Sequence, residues 1–253
     1  MRTNLFNKRP VKKTFDVVKS LGYDDLIVSG CSFTHNNSEE HSCSWPYYLK
    51  DIGGFNEVYD CSLPGAGNNH IANSLQWCIE NDCPDPKNSL VVVMWSGNDR
   101  DDYVMPSSND SKTYPFHFDY SENVVSGITG GPASWSGGNC KEYLVPKTNE
   151  SRAIENYLLI NSMYHYLKSK GFTFVFLNFL HGPSRTNHFD LTTYLPTNLK
   201  HTYREMFTRI TDLHEWAIRN GFLDTDDLHP TVDGHLNWTR KVLHPYLVDN
   251  YSR

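Results

Sequence analysis

Cys31 and Ser32 are the first residues of this chain whose types invite chemistry. They end the stretch Leu26-Ile-Val-Ser-Gly30 and offer two nucleophile candidates, a thiol and a hydroxyl. Neither acts unaided: a hydroxyl needs an imidazole to take its proton, and a thiol needs a base and a lowered pKa. Comparable groups recur down the chain, each just after a short apolar run. Ser62, Pro64, Gly65, Gly67 and Asn68 follow the second run, Ser96, Gly97, Asn98 and Asp99 the third, and Asp226, Asp227, His229 and Pro230 the last. A hydroxyl, a flexible backbone turn, an amide, a carboxylate and an imidazole are the parts of acyl-transfer catalysis.

Such parts work only if the fold brings them to one edge. Five apolar runs read as strands: 24–30 (DDLIVSG), 56–62 (NEVYDCS), 89–96 (SLVVVMWS), 172–180 (FTFVFLNFL) and a short 221–225 (GFLDT). Near-continuous apolarity, rather than alternation, predicts parallel strands covered on both faces. Amphipathic patterns predict helices over 68–81, 151–171, 203–221 and 234–251. Alternating strands and helices imply a three-layer α/β/α sandwich with a parallel, flavodoxin-like sheet of about five strands. Ligands of such sheets bind beyond the carboxyl ends of the strands, where the candidate residues sit. Residues 100–150 break the alternation and are rich in Gly, Ser, Pro and aromatics. They read as a long insertion near the site within one domain spanning 1–253. A second irregular stretch covers 181–200.

Four motifs in order, GCSFT at 30–34, CSLPGAGN at 61–68, SGND at 96–99 and DDLHPTVDGH at 226–235, resemble those of the SGNH hydrolase superfamily, the GDSL-type esterases. The resemblance spans most of the chain. It implies Ser32 as nucleophile, with Asp226 and His229 completing the triad. It also implies an oxyanion hole made of the Ser32 and Gly65 backbone N–H groups and the Asn98 side-chain amide. A three-residue step from Asp226 to His229 can place carboxylate and imidazole on one turn, and the carboxylate then fixes the imidazole tautomer. Gly65 has its own reason to be Gly, because substrate must come close to its N–H. The departure is Gly30-Cys31-Ser32 where the family has Gly-Asp-Ser. Cys31 is expected as a small buried thiol in the space of that aspartate, itself a local structural group outside the triad.

The rest of the sequence narrows the function class. The chain has 253 residues, 38% hydrophobic and 21% charged, enough apolar material for a core. A net charge of −6 argues against a binder driven by phosphate contacts, so no nucleic-acid partner is expected. The basic stretch 7–13 reads as a solvated arm. No apolar run nears the ~20 residues that span a bilayer and no secretory signal is seen, so a cytoplasmic location without a membrane partner is expected. The six cysteines, 31, 43, 61, 78, 83 and 140, read as reduced thiols. The twelve histidines are dispersed without an HExxH pattern, so no catalytic metal and no cofactor are expected.

The expected reaction is hydrolysis of a small acyl ester through an acyl-Ser32 intermediate. The aromatic residues of 100–150, Tyr103 and Trp135 among them, suit sugar rings, so an O-acetylated carbohydrate is the favoured substrate class. Two other readings stay open: a non-catalytic carbohydrate-binding or structural module on the same fold, and a lipase, phospholipase or thioesterase of the same superfamily.

Overall fold

The computed structural model describes residues 20–35, 43–81, 85–97, 100–104, 124–128, 148–178, 195–225 and 229–253. Its centre is a parallel sheet of β1 (Asp25–Ser29), β2 (Glu57–Asp60), β3 (Ser89–Trp95) and β6 (Thr173–Asn178), in the order β2-β1-β3-β6. Every residue of β3 is buried, as are Leu26 to Ser29 of β1. That explains why these strands read as unbroken apolar runs instead of alternating ones. The chain steps from β1 outward to β2, then crosses back to β3 on the other side of β1. The carboxyl ends of β1 and β3 therefore form the point where the strand order reverses, the usual crevice for a ligand.

Helices cover both faces. α3 (Asn68–Asn81) packs on α4 (Asn149–Lys170), while α2 (Trp45–Gly53) packs on α7 (Val232–Trp238) and α8 (His244–Tyr251). Because the strand order reverses at β1, right-handed crossovers are expected to put these two groups on opposite sides of the sheet. Trp45 of α2 meets Trp238 of α7 edge to face at 6.3 Å, and Trp95 of β3 meets Phe176 of β6 at 5.3 Å. No helix among the described residues is long and apolar enough to cross a membrane.

The expected sandwich is therefore present, but with four strands in its sheet among the described residues. The fifth expected strand, 221–225, does not join them. Leu223 forms a single antiparallel bridge with Pro230 instead, flanked by Asp224 N–H to His229 O (2.8 Å) and Thr231 N–H to Phe222 O (2.8 Å). The pairing takes its N–H groups from Asp224 and Thr231 and needs none from Pro230, which has none to give. Asp224 and Thr225 are exposed, unsuited to a strand covered on both faces.

The helix expected over 203–221 is two helices. α5 (Thr197–Met206) stops, the chain extends, and Thr208 N–H donates to Phe176 O of β6 (3.1 Å). Asp212 then caps α6 (Leu213–Asn220), its carboxylate accepting from Glu215 N–H at 2.7 Å. The last helical stretch starts at Val232 under a Thr231 cap and contains a π segment, Thr239–Leu243, before α8. A regular helix would drive the ring of Pro245 against the carbonyl of Lys241, and the widened turn just before it relieves that clash. In the expected insertion, β4 (Arg100–Val104) and β5 (Val124–Ile128) pair as an antiparallel ribbon, Tyr103 opposite Val125.

Candidate active site

The site begins where β1 ends. Gly30 leaves the strand, and a side chain there would overlap Thr34 Oγ1, at 2.1 Å from its Cβ. The absence of one lets α1 (Ser32–His35) fold straight back over the strand end. Cys31 O accepts from Thr34 N–H (2.8 Å) and His35 N–H (3.0 Å), so Ser32 occupies the first helical position. An N–H at that position has no acceptor within its own helix.

Ser32 is only 5% exposed, and its hydroxyl is met by an imidazole. His229 Nε2 lies 2.8 Å from Ser32 Oγ. An unprotonated Nε2 accepts the hydroxyl proton at that distance. The Leu223–Pro230 bridge holds the backbone of His229. Its ring lies over Phe33, with centroids 4.8 Å apart and planes 32° apart, and Phe33 in turn meets His214 edge to face at 5.6 Å. Phe33 thus fixes the plane of the imidazole that serves its neighbour Ser32.

A second buried imidazole stands nearby. His235, one turn into α7, accepts from the Trp45 N–H at the start of α2 through Nδ1 (3.4 Å). Burial, with a smaller contribution from His229, pushes its pKa down to about 3. His235 is therefore a neutral helix cap.

Cys31 is fully buried within the hydrophobic core, and the imidazole addresses Ser32.

The loop after β2 is hooked onto the same strand end. Cys61 N–H donates to Val28 O (2.8 Å) and Leu63 N–H to Gly30 O (3.0 Å). Leu63 to Ala66 form a turn closed by Ala66 N–H to Leu63 O (3.1 Å), with Pro64 second and Gly65 third at φ +80°. Pro then Gly with that φ is a type II turn, and only Gly takes the third position without strain. Gly65 is exposed, with nothing within 4 Å of where a Cβ would be. Behind it, Asp60 accepts from both the N–H (2.9 Å) and the hydroxyl of Ser62, whose Oγ lies 3.3 Å from His35 Nδ1. Burial raises the Asp60 pKa above the ordinary carboxylate value, against these hydrogen bonds.

Of the residues expected from sequence, Ser32, His229 and Gly65 are thus described. Asn98, Asp226 and Trp135 lie outside the described residues, as does the side chain of Tyr103. Sequence reasoning missed Phe33 and Asp102 as parts of this region. It set Asn68 at the same edge, as the start of the helix 68–81, without giving it a partner.

No family model matches the chain, and no curated protein matches it. Solved structures do. A protein assigned to the lipolytic G-D-S-L family from Desulfitobacterium hafniense DCB-2 is 13% identical with a TM-score of 0.50, over 86% of this chain and 96% of that one. The psychrotrophic esterase EstA from Pseudoalteromonas sp. is 10% identical with a TM-score of 0.45, over 89% and 93%. A member of the lipolytic G-D-S-L family from Veillonella parvula DSM 2008 is 12% identical with a TM-score of 0.46, over 85% and 94%. At such identities the first of these speaks for the fold. With the parallel sheet and its reversal point, it shows that this chain has the fold of that G-D-S-L-family protein.

Proposed function

We propose that the protein is a serine hydrolase of carboxylic esters, working through an acyl-Ser32 intermediate. The observation that carries this reading is the 2.8 Å contact of His229 Nε2 with Ser32 Oγ at the strand-order reversal of an SGNH fold. His229 takes the hydroxyl proton as Ser32 Oγ attacks the acyl carbon, then returns it to the departing alcohol. Asp226, three residues before His229, is the carboxylate that orients the imidazole. The Ser32 and Gly65 N–H groups and the Asn98 amide receive the negative charge on the former carbonyl oxygen. Water, activated by the same His229, then releases the acid and restores Ser32.

The substrate class is a small acyl ester, with O-acetylated carbohydrate favoured. The aromatic side chains of residues 100–150 support that choice, Tyr103 and Trp135 acting as sugar-ring platforms. A fluorophosphonate probe followed by peptide mapping tests the core of the reading. Label is expected on Ser32 and is lost in His229→Ala. Label on another serine, or undiminished label in His229→Ala, would sink it.

A further inference from the structure

Two side chains beyond the Ser32–His229 pair cross-link the loops expected to carry the oxyanion donors. Asn68, the first residue of α3, reaches from the β2 exit to the β3 exit. Ser96 N–H donates to its Oδ1 (2.8 Å), while its Nδ2 donates to Ser96 O (3.2 Å) and to Asn156 Oδ1 (2.6 Å). Asn156 is itself turned for this by donating to Arg152 O within α4 (2.9 Å). Asp102 of β4 returns the grip from the other side. Its Oδ1 accepts from Gly67 N–H (2.7 Å) and its Oδ2 from His70 N–H (2.8 Å).

The pattern is reciprocal. Residue 68 holds residue 96, and residue 102 holds residues 67 and 70. On the β2 side the grips follow directly on the Leu63–Ala66 turn that carries Gly65. On the β3 side, positions 96 and 102 bracket Asn98 in the sequence. Gly67 is shaped to this contact, since a Cβ there would stand 2.7 to 2.9 Å from the Asp102 carboxyl atoms.

We propose that Asn68 and Asp102 are positioning residues that set the Gly65 turn against the β3 exit at Ser96, so that the oxyanion donors proposed above are held in place before substrate arrives. The inference rests on the ester-hydrolase reading above. One amide bonded to both the N–H and the C=O of a single residue fixes that residue's place and its rotation. Asn68 is 2% exposed, so water does not compete for these bonds. The Asp102 bonds are charge-assisted and sit at the amino end of a 14-residue helix, where a carboxylate is favoured. Donors aimed at a developing oxyanion tolerate little displacement, and about 1 Å of misplacement costs roughly 10²-fold in rate.

The test is a double-mutant cycle on p-nitrophenyl acetate turnover, well below each variant's Tm. Asn68→Ala and Asp102→Asn are each combined with Asn98→Ala. Where Asn68→Ala does not fold, Asn68→Asp replaces it, keeping the acceptor for Ser96 N–H and losing both donated bonds. Each single clamp variant is expected to lose roughly 10- to 10²-fold in kcat, with KM changed less than about threefold. In the Asn98→Ala background the further loss should shrink to less than about threefold, because the group being positioned is gone. A clamp variant that keeps full kcat, or one whose loss is undiminished beside Asn98→Ala, overturns the positioning role while wild-type activity leaves the hydrolase reading standing. A wild type with neither turnover nor Ser32 label overturns that reading and this inference with it.

Discussion

His229 Nε2 lies 2.8 Å from Ser32 Oγ although 197 residues of sequence separate them. The β1 exit and the Leu223–Pro230 bridge deliver the two side chains from opposite ends of the chain to one point. Ser32→Ala and His229→Ala should each lower ester turnover by about 10⁴-fold or more without unfolding the protein. The check is kcat/KM with p-nitrophenyl acetate beside circular dichroism of each variant.

Cys31 gives the matching control. A buried thiol outside the His229 contact should be dispensable for chemistry but not for packing. Cys31→Ala is expected to keep turnover within about fivefold and to lose about 1–2 kcal/mol of stability from the cavity it leaves. Urea unfolding and steady-state kinetics on the same sample measure both. Loss of activity far beyond that would return the thiol to consideration.

Phe33 holds the imidazole plane, so its removal should act on rate. Phe33→Ala is expected to lower kcat about tenfold, as His229 gains rotational freedom, with a smaller change in KM. Phe33→Tyr, which keeps the ring face, should stay near wild type.

Stability should fall in acid through His235. Its folded pKa of about 3 lies below the ordinary 6.5, so between these values the unfolded chain binds the proton and the folded chain does not. The stabilisation is therefore complete above pH 6.5 and is lost progressively as the pH drops towards 3. Asp60, with its raised pKa, acts in the opposite sense, losing stability as the pH rises through and above the ordinary carboxylate value. The difference between wild type and His235→Asn isolates the imidazole. The Tm of the variant should decline less between pH 6.5 and 4 than that of wild type.

Gly65→Ala separates backbone strain from crowding. With φ at +80° and open space around the missing Cβ, the cost is conformational, about 1 kcal/mol of stability. The methyl group also stands where substrate is expected, so KM should rise. A Tm series and substrate titration distinguish the two effects.

What could be read from the sequence followed from how locally each feature was written. β1, β3 and β6 announced themselves because burial on both faces leaves an unbroken apolar run. The stretch 221–225 has the same look in miniature, yet Leu223 pairs with Pro230, seven residues on, and no apolar pattern encodes that choice. α2 was not among the predicted helices; its Pro46 lies in the first turn, where a missing N–H costs nothing. The break between α5 and α6 was hidden because Thr208 leaves helical geometry to meet Phe176 on the β6 edge, far upstream in the sequence. In the site, Ser32 and Gly65 were legible as turn residues after strands, and His229 from its D-x-x-H setting. Asp102 was not, and Asn68 was read at the edge without its partner, because what they hold are backbone groups 28 to 35 positions away.

The contact of Thr208 with Phe176 also bears on how copies of this protein behave when crowded. A sheet's outer strand is an open template for a stranger's backbone, and a segment of the same chain already occupies that acceptor on β6. At the opposite border, β2 is four residues long and starts with the exposed Glu57. Both borders thus discourage strand exchange between molecules, by occupation on one side and by brevity and charge on the other.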